Sequence, residues 1–137
     1  MGGGKAADSD IRSLIADYME AGFLENIIDM FRYDKELYAL VGELIQDERF
    51  RVRIGITALM EDLKTRDGNN IARAIPHLVP LLKHEDPVVR GDTANLLGII
   101  GDKEAMPFLE ETLSDENPNV EQLAREALAE IRSDPAK

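Results

Sequence analysis

The chain has 137 residues, enough for one domain with a core of its own, and an apolar content of 44% argues against disorder throughout. It contains no cysteine, which excludes disulfides and thiolate metal sites and fits a cytoplasmic location. The formal charge of −11 repels phosphate backbones at long range, and no apolar run approaches the roughly 20 residues of a membrane span, so neither nucleic acid nor membrane is expected as a partner.

Residues 1–9 (MGGGKAADS) hold no apolar segment for a secretion signal and read as a disordered tail; Ala6 stands where a myristoylation signal needs Ser or Thr. Residues 10–33 hold two short helical patterns, IRSLIADYMEA and FLENIIDMFR, split at Gly22. They match no later segment and read as an N-terminal capping pair. β signals are weak throughout: aromatics are 5%, and no alternating Val/Ile/Thr run lies between turn dipeptides.

From residue 35 onward the apolar positions recur. Val52, Ile56, Leu59, Met60 and Leu63 form one stripe of a helix with 3.6 residues per turn. Val89, Thr93, Leu96, Leu97 and Ile100 repeat it, and so do Val120, Ala124, Ala127, Leu128 and Ile131. The helices between them repeat as well. Leu37, Tyr38, Val41, Leu44 and Ile45 correspond to Ala74, Ile75, Leu78, Leu81 and Leu82, then to Ala105, Met106, Leu109, Thr112 and Leu113. The unit is a helix pair, A then B, at 35–66, 71–100 and 103–132, and one solenoid domain spans 10–132. Asp34, Asp86, Asp102 and Asn117 are expected to cap helices, the second and fourth with proline following. Gly22, Gly68 and Gly101 suit helix exits with positive φ. Pro80 is expected to kink the second A helix, and Thr65–Asn70 reads as an extended loop. Eight helices are predicted in all.

DPVVR (Asp86–Arg90), an apolar helix and then GDKEAMPFL (Gly101–Leu109) resemble the HEAT repeat, most closely its short HEAT-like subgroup first noted in phycocyanobilin lyases. The likeness is good over 71–131, fair over 35–66 and absent before 34. Arg49 and Phe50 depart from its Asp-Pro, and Glu121 from its Arg. The resemblance implies an all-α, right-handed α-α superhelix that receives partners on the concave face of its B helices. It implies no reaction.

The letters agree with that silence about chemistry. No nucleophile motif or phosphate loop is present, so no enzyme, cofactor or metal is expected. His77 and His84 lie two helical turns apart, about 10 Å along an axis, too far to share one ion. His77 is expected to be packed or half-covered, and His84 to be solvated in the A–B turn. The acidic pairs Glu110-Glu111 and Asp115-Glu116 read as solvated faces. The basic run around Arg49, Arg51 and Arg53 stands out, because residues 48–90 carry eight basic and six acidic groups in an otherwise acidic chain. Arg53 aligns with Arg90 and Glu121, so stacking could line up Arg90 and Glu121 as a pair. The expected function is a non-enzymatic scaffold or adaptor binding another protein, with Arg49, Arg51, Arg53, Arg90, Asn95 and Arg125 as candidate contacts. The alternative is an accessory protein of a lyase or tetrapyrrole-handling system. The chain is expected to be a monomer, or to self-associate weakly through a solenoid end.

Overall fold

The computed structural model describes the backbone of residues 3–133 and the side chains of residues 10–133. Eight helices follow one another, with no strand among the described residues: α1 (Gly3–Ala21), α2 (Leu24–Tyr33), α3 (Val41–Leu44), α4 (Phe50–Arg66), α5 (Ile75–Leu78), α6 (Pro87–Ile100), α7 (Met106–Thr112) and α8 (Pro118–Ser133). The B helices α4, α6 and α8 are continuous. The A rods mix helix types: α3 follows a 3₁₀ turn at Lys35–Leu40, α5 sits between turns at Ile71–Ala74 and Val79–Lys83, and α7 follows one at Lys103–Ala105.

Helix ends follow the predicted chemistry. Asp34, Asp86 and Asp102 each accept the amide of the residue two ahead, at 3.1, 2.9 and 2.9 Å. Asn117 Oδ1 accepts from Asn119 and Val120. Each satisfies a donor that a helix start leaves without an intrahelical partner. Gly22 and Gly101 take φ of 89° and 75°. Pro80 acts where expected: α5 gives way to the 3₁₀ turn at Val79, because proline brings no amide and its ring crowds the carbonyl four residues back.

All fifteen predicted B-stripe residues are buried. The rods approach closely where a side chain is missing. A Cβ on Gly42 would lie 2.3 Å from the His77 carbonyl oxygen, and one on Gly98 would lie 2.9 Å from Ala127. The most extensive helix pairing is α6 on α8. At the other end α1 packs on α4, with Met19 seated on Gly55, and Phe31 of α2 meets Tyr38 edge to face at 5.2 Å. The capping pair thus extends the same core.

Four expectations are corrected. The backbone of residues 3–9 is helical, continuing α1 where a disordered tail is predicted; Met1 and Gly2 lie outside the described residues. Extending an existing helix costs far less than nucleating one. Gly68 does not have positive φ. The chain leaves α4 at Asp67 instead, and glycine is needed next for space, since a Cβ would sit 2.9 Å from the Lys64 carbonyl oxygen. The loop Thr65–Asn70 is not simply extended: α4 runs through Arg66, and Asp67 is tied back to the first A rod by Lys35 Nζ at 3.1 Å and Tyr38 Oη at 2.8 Å. His77 is exposed, because its backbone carbonyl rather than its ring makes the contact with the neighbouring rod.

Candidate interaction surface

The arginines singled out by sequence divide into two groups. Arg49, Arg53 and Arg90 are held by carboxylates. Arg49 donates to Asp47 at 3.0 and 3.1 Å and to Asp17 of α1 at 2.9 Å. Arg53 reaches from α4 to Asp92 of α6 at 3.2 and 3.3 Å, with its guanidinium 5.9 Å from the Phe50 ring centre. Arg90 donates to Asp115 in the turn before α8 at 2.8 and 3.0 Å, and to the backbone carbonyl of His84 at 2.8 Å. The Arg90–Glu121 pairing does not form; Glu121 instead pairs with Arg125, one turn on in α8. Asp115 is accordingly no solvated acid. Its side chain is only 10% exposed, since the A–B turn folds it under Arg90. Hydrogen bonds from Arg49 and Arg90 hold the carboxyls of Asp47 and Asp115 below the usual range.

A turn device emerges that sequence reading missed. Asp47, His84 and Asp115 each lie two residues before the B-helix cap, and each accepts the cap's amide, at 2.8, 3.0 and 2.9 Å. In the middle repeat an imidazole Nδ1 fills the place of a carboxylate. His84 is half-buried, rather than solvated as its turn position suggests.

Arg51, Asn95 and Arg125 remain on the surface. The side of α4, α6 and α8 opposite the buried stripe is where partners can reach them. At its N-terminal end it exposes Phe50, Ile54 and Val88, at 66, 52 and 49%. At its C-terminal end a groove of about 560 Å³ runs between α4, α6 and α8, lined by Glu61, Asn95, Gly98, Ile99, Glu126 and Glu130 together with Ala127 and Ala129 of α8. A second groove of about 460 Å³ runs along the start of the α6–α8 seam past Val88, Leu123 and Glu126. The two share Glu126 and so meet there. None of the lining residues of either groove is Lys or Arg.

These acids lie outside the apolar stripe, where sequence reading took acidic residues for solvated faces. The signal that could have found them is the alignment itself: Ala58, Asn95 and Glu126 occupy one rung opposite the stripe, and Asp62, Ile99 and Glu130 occupy one that flanks it. A third groove, about 530 Å³, lies on the A side and is bridged by Lys83–Glu111 at 3.5 Å.

Among the described residues no three His, Cys, Asp or Glu come close enough to share a metal ion, and no helix is long and apolar enough to cross a membrane. Residues 75–137 match a family model described as HEAT repeats, a stretch that starts at α5 and takes in α6, α7 and α8. The chain's architecture is a HEAT-like helical repeat. None of the curated proteins compared matches the chain.

Proposed function

We propose that this chain is a non-enzymatic interaction module that receives another protein on the exposed face of α4, α6 and α8. HEAT repeats generally mediate protein–protein contact, which makes this the first function to test for the stack. The observation that carries the reading is that Ile54 and Val88, large apolar side chains on neighbouring B helices, stand about half exposed, and that Val88 lines a groove which meets a second one at Glu126. Apolar side chains exposed beside polar residues mark contact surfaces. The stripe residues behind them are fully used by the core, so these two are surplus to folding.

Crosslinking in source cells tests it, comparing the natural chain with the pair Ile54→Glu and Val88→Glu. A partner captured by the natural chain and lost by the variant, with an unchanged thermal melt, is the expected result. Full retention by a folded variant places the contact elsewhere. The surface arginine Arg51 and Asn95 flank the same face, and Arg125 lies at its outer edge. Their single alanine variants are expected to weaken the same contact by smaller factors.

A further inference from the structure

We infer that the occupant of this face is a basic amphipathic segment, apolar where it meets Val88 and Leu123 and carrying Lys or Arg where it meets Glu61, Glu126 and Glu130. This deepens the reading above and rests on it.

The argument is one of charge and shape. Two arginines beside the face are already neutralised, Arg53 by Asp92 and Arg125 by Glu121, and the exposed Arg51, at the start of α4, lines neither groove. The acids are not neutralised. Glu61 and Glu130 have no cationic partner among the described residues, and Glu126 accepts only from the neutral Gln122, at 2.9 Å. The groove they line therefore presents three carboxylates and no base. An anionic or acidic partner would meet uncompensated like charge there. A basic one gains complementary pairs and is drawn in by the net charge of −11.

The carboxylates lie on two helices, Glu61 on α4 and Glu126 and Glu130 one turn apart on α8, and no three acids among the described residues come close enough to share one ion. Cations spaced along a chain match that arrangement. Gly98, buried beneath Ala127, keeps the floor low between the acids. Because the apolar groove and the acidic groove meet at Glu126, one continuous segment lying along the α6–α8 seam fills both.

The probe is a synthetic amphipathic peptide of leucines and lysines, with a matched peptide carrying glutamate for lysine. Binding is read by fluorescence anisotropy, and the site by amide chemical shifts. The lysine peptide is expected to bind, to shift the Asn95 and Gly98 amides, and to weaken at higher salt. Glu126→Lys with Glu130→Lys is expected to weaken it at least tenfold. Glu36→Lys with Glu104→Lys, an equal charge change on the A side, is expected to weaken it less than twofold. Glu61→Gln, on a different helix, provides an independent variant with a smaller loss.

Equal weakening by the two lysine pairs means that net charge alone drives binding, and it overturns the proposal. Binding of the glutamate peptide at Asn95 and Gly98 instead overturns the sign of the occupant while leaving the face in place. Shifts confined to residues away from α4, α6 and α8 overturn occupant and face together. No shift from either peptide overturns the occupant, and the crosslinking result then judges the face on its own.

Discussion

Arg90 of α6 grips Asp115, ahead of α8, through two hydrogen bonds of 2.8 and 3.0 Å, and with a third donor it holds the His84 carbonyl behind it. One guanidinium thereby fixes two successive A–B turns. A planar fork with several donors can do this and a lysine ammonium cannot. Arg90→Lys is therefore expected to lower the melting temperature nearly as far as Arg90→Ala. Arg125→Ala, which breaks only an exposed pair within α8, is expected to leave it almost unchanged. Thermal melts of the three variants check the ranking; a harmless Arg90→Lys would remove the clamp from the account.

His84 is expected to be replaceable by aspartate. The flanking repeats use Asp47 and Asp115 to accept the same amide, so His84→Asp keeps the acceptor and His84→Ala removes it. The alanine variant should lose about 0.5–1.5 kcal/mol, the ordinary net worth of one such bond. Urea denaturation of both variants decides the point, and equal losses would show that the imidazole matters for something other than its acceptor.

Acid is expected to weaken the fold from an identifiable set of groups. The Asp47 and Asp115 carboxyls are lowered by their arginines. Burial works to raise Asp67, but hydrogen bonds from Asn70, Tyr38 and Lys35 together carry it below the usual range. With folded values depressed, the unfolded chain binds more protons, so stability rises with pH. The contribution is complete above the unfolded carboxyl value of about 3.9 and is lost as pH falls through the lower folded values. Urea midpoints should stay level from about pH 7 to 5 and drop below about pH 4. In Asp67→Asn the drop should be shallower; an unchanged slope would clear Asp67.

Gly98 is expected to tolerate no side chain. A Cβ there meets the backbone of Ala127 at 2.9 Å, so α8 must move, and Gly98→Ala should cost about 1–3 kcal/mol. At Gly91 the same Cβ meets the far end of Leu123, which can swing aside, so Gly91→Ala should cost less. Leu97→Ala, fully buried, should cost about 2–5 kcal/mol by leaving a cavity. Chemical denaturation orders the three, and a silent Gly98→Ala would contradict the α6–α8 packing.

Much of this architecture was legible in the letters. A helix stripe repeats because its residues must meet a neighbour's stripe, and the 3.6-residue period survives any exchange of one apolar side chain for another. That is why Val89, Leu97, Val120 and Leu128 could be named as core, and why Asp86 and Asn117 could be named as caps. Both depend only on local spacing. The partners of the charged groups were not legible. Whether Arg90 meets Glu121 or Asp115 depends on how the A–B turn folds back, and that is fixed by contacts between residues 25 apart. The same holds for Arg53 with Asp92, 39 residues away, and for Asp67 with Lys35, 32 away. Long flexible charged side chains carry no period, so only the packed backbone decided which were spent on seams and which carboxylates were left facing outward.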